Sequence, residues 1–286
     1  MLPLTGLISS LPNPPPQRHE APRDYIRPDE KRLRGILPQN IKIAGKLAGF
    51  DGGPGVVTRM GELDPDNVRS ALGIQPRTSI SVPGFDPAAL PGRPPQMCQG
   101  CSHIESYDSI KIAITEIDPR PNHPDIGINS DIGCYSLGVA PPYEIPESIV
   151  CMGASVSMAK GAADAGLPYS IGVVGDSTFV HSGITCLIDA AAADIPMTLI
   201  ILDNSVVAMT GCQPTMVKSD KMRDLCIGCG VKPEHVLVLE AKRQAVEENA
   251  KLLKAEILYK GLSVVIFQRD CIEAARRLQR KKDPNA

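Results

Sequence analysis

The 286-residue chain contains no tryptophan, and its few phenylalanines and tyrosines bring the aromatic share to only 3%. Proteins that hold single-stranded nucleic acid stack bases on aromatic faces, so that platform is missing. Charge of one sign is lacking as well: 30 Lys and Arg stand against 32 Asp and Glu, a formal net charge of -2. Such a balance gives no basic footprint for a phosphate backbone. There is no run of about 18 apolar residues of the kind a membrane helix needs. The N-terminus, MLPLTGLISSLPNPPP, has no positive start ahead of an apolar stretch. These absences predict a cytoplasmic protein with neither nucleic acid nor membrane as a partner.

Cysteine, by contrast, is plentiful. Nine cysteines without an export signal favour metal ligation or redox chemistry over a disulfide framework. Proline and glycine are abundant too, but unevenly placed. Pro14-Pro15-Pro16, Gly52-Gly53-Pro54-Gly55 and Pro91-Gly92-Arg93-Pro94-Pro95 interrupt periodic patterns before they reach helix length. Residues 1–95 are therefore expected to be an irregular Pro/Gly-rich arm. IKIAGKLAGF and GELDPDNVRSALG show apolar spacing and turn signals, which favour an arm wrapping a partner over a free tail.

From residue 96 to 286 the pattern alternates. ESYDSIKIAITEI and ITCLIDAAAADI space their apolar residues as helices do, while SIGVVGDS and MTLIILDNS are short apolar runs ending in polar turns. VLVLEA, a charged helix over 242–259 and LSVVIFQ repeat the unit. Such alternation predicts an α/β domain, a parallel sheet with helices on both faces. Ligands of such sheets sit at the carboxyl ends of strands, where Asp176 and Asn204 fall.

Those two residues suit a magnesium ion. Magnesium prefers octahedral oxygen coordination, with one or two protein ligands and the rest from phosphate and water. Asp176 offers a carboxylate, Asn204 a side-chain carbonyl and Val206 a backbone carbonyl. Gly175 allows close backbone approach, and Gly183 helps open the next helix, whose N-terminus favours phosphate. A Gly-Asp pair alone is a common polar turn; the succession of strand, GDS, helix, strand, DN and AMTG is more specific.

GDSTFVHSG, ILDNSVVAMTGCQP, CMGASVSMAKG, SDIGCYSLG and RPPQMCQGCSH together resemble the thiamine-binding domain of the indolepyruvate:ferredoxin oxidoreductase large subunit. They are more distantly similar to the β subunits of pyruvate and 2-oxoglutarate ferredoxin oxidoreductases. The match is strong from Pro94 to about Pro214 and weaker to Cys271. The resemblance implies a thiamine diphosphate-binding fold, with Asp176, Asn204 and Val206 holding magnesium. Gly175, Ser177, Thr178 and Thr210 would line the diphosphate, with Ala208 and Met209 in the same AMTG run. Met152 and Gly153 would lie near the cofactor rings. His181 occupies the FxHSG position close to substrate, where it would move a proton or bind a carboxylate unless it merely caps a helix.

A CxxC turn followed by remote cysteines is a usual way to supply four thiolates to a 4Fe-4S cluster, although zinc suits the same donors. The resemblance assigns Cys98, Cys101, Cys134 and Cys271 to the cluster. It assigns nothing to Cys212, Cys226 or Cys229; the second CxxC reads most simply as a surface turn. Cys151 and Cys186 read as buried thiols in apolar helical surroundings.

The family's large subunit usually carries an upstream pyrimidine-binding domain and a ferredoxin-like module, and neither pattern occurs here. The expectation is therefore a split-off subunit, active only with a pyrimidine-domain partner that supplies the activating glutamate. With it, the reaction expected is oxidative decarboxylation of a 2-oxoacid, such as the aryl pyruvate indolepyruvate, to acyl-CoA and CO2. Coenzyme A is the second substrate, and ferredoxin or a ferredoxin-like subunit takes the electrons. Two rivals are a non-oxidative decarboxylase subunit, which needs no cluster, and an electron-transfer subunit, which needs no thiamine.

Overall fold

The computed structural model describes residues 95–282, together with residues 38, 56–57, 64–75, 77–78, 83–84 and 86. The chain divides into two compact units, Met1–Pro91 and Gly92–Ala286. In the first, helix α1 (Pro65–Ala71) starts where the sequence directs it. The Asp64 side chain accepts the Asn67 N–H at 2.7 Å, and Pro65 takes the first helical position, where a missing N–H costs nothing. IKIAGKLAGF and the first two Pro/Gly clusters lie outside the described residues.

The second unit contains, in order, α2 (Ser102–Ile117), β1 (Ile126–Asp131), β2 (Ser148–Val150), α3 (Ala154–Asp164), β3 (Tyr169–Gly175), α4 (Ile184–Ala193), β4 (Met197–Asp203), the hairpin β5 (Val206–Val207) and β6 (Gln213–Pro214), α5 (Ser219–Gly228), β7 (Val236–Glu240), α6 (Val246–Leu258), β8 (Ser263–Gln268) and α7 (Ile272–Lys282). Six strands form one sheet in the order β2-β1-β3-β4-β8-β7, parallel throughout. This is the α/β architecture expected from the alternating pattern.

Strands buried on both faces send successive side chains to opposite cores. Ile171, Val173, Ile200, Leu202, Val265 and Phe267 pack with Tyr107, Ile110 and Ile114 of α2 and Leu253 and Ile257 of α6. Their neighbours Val174, Leu199, Ile201, Val264 and Ile266 pack with Val156 of α3, Leu187 of α4 and Met222 of α5. Every residue of β4 is buried, so truncating Leu199 to alanine should cost about 2–5 kcal/mol.

The chain leaves β1 towards β2 but leaves β3 towards β4, in the opposite direction. That reversal opens a crevice beyond the strand ends. Between β3 and α4 the chain makes a short helical turn, Asp176–Thr178, followed by a π-helical turn, Phe179–Gly183. Such turns are uncommon and occur frequently at functional sites.

Candidate functional site

Three strand ends line a cavity of about 190 Å³. The turn after β1 brings Ile132, Gly133, Cys134 and Tyr135; β3 ends in Gly175 and continues into Asp176, Ser177 and Thr178; β4 continues into Asn204 and Val206. Ala208, Met209 and Thr210 of the hairpin loop and Met152 of the loop before α3 also line it. Residues far apart in sequence thus share one wall. Gly153 stands next to Met152 with φ +84, and a Cβ there would lie 2.4 Å from Ser182 Oγ, so only glycine fits. His181 does not line the cavity. It is exposed on the π-helical turn, its Nδ1 3.0 Å from Ser182 Oγ, which in turn donates to the Met152 carbonyl at 2.5 Å.

Asp176 dominates the electrostatics. Burial, reinforced by the charge of Asp203 beside it, pushes its carboxyl up to about 8. Its Oδ2 is buried and meets no hydrogen-bond donor. An unsatisfied buried acceptor costs about 1–3 kcal/mol, more when charged. A divalent cation at this oxygen would remove both that cost and the repulsion, so the residues present fit a metal-bridged diphosphate. Asp203 needs no such help: it accepts the Ser205 N–H at 3.1 Å, Ser219 Oγ at 2.9 Å and Gln268 Nε2 at 3.3 Å.

Three neighbours of the site escape a reading of the sequence. Asp131, at the end of β1, accepts the Gly153 N–H at 2.9 Å, Ser155 Oγ at 2.8 Å and the Tyr135 hydroxyl. It joins the turn carrying Cys134 to the loop carrying Met152. Asp203 adjoins Asn204, and its place in the LDN run was the available signal. His103 follows the first CxxC by two residues, lines the cavity, and is held neutral by burial, which lowers its imidazole to about 4.

The first CxxC closes on itself through the Cys101 N–H donated to the Cys98 carbonyl at 3.0 Å, with Gly100 at φ +76. Burial raises the Cys134 thiol to about 11, and the charges of Cys101, Cys271, Cys98 and Cys212 add to the rise. Cys101 is raised in the same way, by burial first, then by Cys98 and Cys271. Cys98, Cys101, Cys134 and Cys271 thus influence one another through their charges. Among the described residues no group of three or more His, Cys, Asp or Glu side chains is gathered as a metal site.

The other cysteines correct the sequence reading. Cys226 and Cys229 are buried in the core under α5, not on a surface turn, and burial pushes Cys226 up to about 12. Cys151 is exposed in the turn after β2, and Cys186 is only half-buried. Exposed Cys151 does not pack as a core residue, whereas Cys186, though only partly buried, packs against the apolar core on the α4 side of the sheet.

Residues 131–266 match the family described as thiamine pyrophosphate enzyme, C-terminal TPP binding domain. That stretch is similar to a thiamine pyrophosphate-binding domain, and the chain as a whole is similar to part of the indolepyruvate oxidoreductase subunits. It is 33% identical over 229 residues to the indolepyruvate oxidoreductase subunit IorA of Archaeoglobus fulgidus, covering 75% of this chain and 35% of that protein. It is 30% identical over 243 residues to IorA of Methanothermobacter marburgensis, covering 82% and 37%. The chain thus spans little more than a third of the length of these curated relatives. In fold it is similar to a 2-oxoglutarate:ferredoxin oxidoreductase from Magnetococcus marinus solved with 2-oxoglutarate, coenzyme A and succinyl-CoA, with a TM-score of 0.52 and 20% identity over 68% of this chain and 74% of that one. The resemblance read from the sequence motifs is borne out. No described helix is long and apolar enough to cross a membrane.

Proposed function

We propose that this chain is the thiamine diphosphate- and magnesium-binding part of a cytoplasmic 2-oxoacid:ferredoxin oxidoreductase, taking an aryl pyruvate such as indolepyruvate. The observation that carries the reading is the buried, unpartnered Asp176 Oδ2 in a cavity shared with Asn204 and Val206. Asp176, the Asn204 carboxamide oxygen and the Val206 carbonyl would hold the metal. Gly175 to Thr178 and Thr210 would bind the diphosphate, and Met152 and Gly153 would flank the rings. When bound, thiamine diphosphate supplies an electron sink that lets CO2 leave a 2-oxoacid.

Cys98, Cys101, Cys134 and Cys271 would hold a 4Fe-4S cluster, the route by which electrons leave for ferredoxin. Coenzyme A would accept the acyl group. A partner chain or domain would supply the pyrimidine-binding half and the activating glutamate. Exposed Ile132 (46%) and Met209 (50%) at the cavity rim support a covered face, and residues 1–95 would form an arm against that partner. His181, exposed beside Ser182, would meet substrate from the same side.

The test begins with anaerobically isolated protein. Expected are bound thiamine diphosphate, magnesium and about four irons per chain, with iron lost in Cys271→Ser. With its co-purifying partner, the protein should oxidise an aryl pyruvate in a coenzyme A-dependent reaction that reduces a low-potential dye. Zinc in place of iron removes the cluster assignment, and turnover by the lone chain removes the shared-site reading.

A further inference from the structure

Asn204 is held on three sides. Its backbone carbonyl accepts the Cys271 N–H at 3.1 Å, and its Oδ1 accepts the Val206 N–H at 3.2 Å. Its Nδ2 lies 3.4 Å from His103 Nε2, a long contact between residues 101 positions apart. The Val206 bond decides which end of the carboxamide faces which neighbour. The oxygen lies towards Val206, which itself lines the cavity, and the amide nitrogen towards the imidazole. Facing an N–H2 group, His103 Nε2 acts as the acceptor. The imidazole is 3% exposed and stands edge-on to the Tyr135 ring, at 90° with centroids 6.2 Å apart. It has little freedom to turn away.

We propose that His103 is a positioning residue for the cofactor site. By accepting from Asn204 Nδ2, it keeps the carboxamide from flipping and so keeps the oxygen, rather than the N–H2 group, available to the cation. An amide turned the other way would direct its donors at a positive ion. Because His103 is two residues beyond Cys101, and Cys271 donates to the same asparagine, the two cysteine-bearing segments are tied to the geometry of the metal ligand. Residues that orient metal ligands from behind carry a substantial share of affinity. The inference rests on Asn204 being a ligand of the magnesium that bridges thiamine diphosphate.

The test is calorimetric titration of thiamine diphosphate with Mg2+ into the full chain, together with the chains that co-purify with it. Iron content and Tm are measured alongside. The two variants are His103→Gln, whose amide oxygen reaches the place of Nε2, and His103→Asn, whose amide stops at the place of Nδ1. His103→Asn should raise the Kd by about 10–100-fold at unchanged Tm, and His103→Gln should stay within about threefold of the parent. If His103→Asn does not fold, His103→Leu is expected to show the same loss. Folded His103→Asn or His103→Leu with parental affinity overturns the inference, and so does equal impairment in His103→Gln. A parent protein that binds no Mg2+-thiamine diphosphate overturns the site reading itself, and the positioning role with it.

Discussion

Asp131 closes β1 and Asp176 follows β3, so two aspartates stand at the ends of adjacent strands, 0% and 3% exposed. Their surroundings differ. Asp131 accepts from a hydroxyl on each of two residues and from a backbone N–H; burial still holds its carboxyl above the usual range, and these donors pull it part of the way back. Asp176 has an oxygen with no donor and a second carboxylate beside it. One aspartate is a structural tie between loops; the other is incomplete without a cation. Burial alone does not distinguish a structural acid from a ligand, whereas the count of donors does.

The sharpest way to break this comparison is to neutralise Asp176. In Asp176→Asn the metal-free protein should be at least as stable as the parent at pH 7, since the neutral amide no longer has to take up the proton that burial and Asp203 force on the Asp176 carboxyl when the chain folds. Its stabilisation by Mg2+-thiamine diphosphate should be abolished, against about 2.7 kcal/mol for the parent at a ligand concentration of one hundred times Kd. Unfolding curves with and without ligand measure both effects, and unchanged cofactor content would remove the ligand role. Asp131→Ala should do the reverse. It strands donors from Tyr135, Gly153 and Ser155 and should lower unfolding free energy by roughly 3 kcal/mol, even without cofactor.

The two CxxC pairs extend the contrast. Cys226 lies wholly buried among apolar side chains, so Cys226→Ser should cost about 1–3 kcal/mol in denaturant unfolding while iron content stays unchanged. Loss of iron in that variant would move the cluster assignment to the second pair.

A third aspartate serves as the control of smallest effect. Asp118 is buried after α2, and the Arg120 guanidinium, with the Arg120 and Asp125 N–H groups, pulls its carboxyl down to about 2. A depressed carboxyl adds stability that is fully present above the unfolded value of about 3.9 and is lost as pH falls through the folded one. Asp118→Asn should therefore be slightly less stable than the parent at neutral pH. The gap should close between pH 4 and pH 2, as chemical denaturation at each pH will show.

Much of this was legible in the sequence. Apolar runs such as MTLIILD are buried along their whole length because strands covered on both faces need apolar residues throughout, and that is a local pattern. Asp176 and Asn204 stood out because polar residues immediately after such runs fall at strand ends. Other features were not legible. SIV at β2 is too short and too exposed to declare itself. The burial of Cys226 depends on how α5 lies against the sheet, which spacing alone does not specify.

The sequence by itself determined the layered α/β architecture, the strand ends at which chemistry is placed, and the supply of carboxylate, amide and thiol donors, because these follow from composition and from periods of two or 3.6 residues. The tertiary structure alone decided which donors are already spent. That Asp131 is satisfied, that Asp176 is not, that Asp203 sits beside it and that His103 meets Asn204 all depend on contacts between strands and helices distant in the chain. No local pattern records such contacts, since hydrogen-bond partners are chosen by proximity in space.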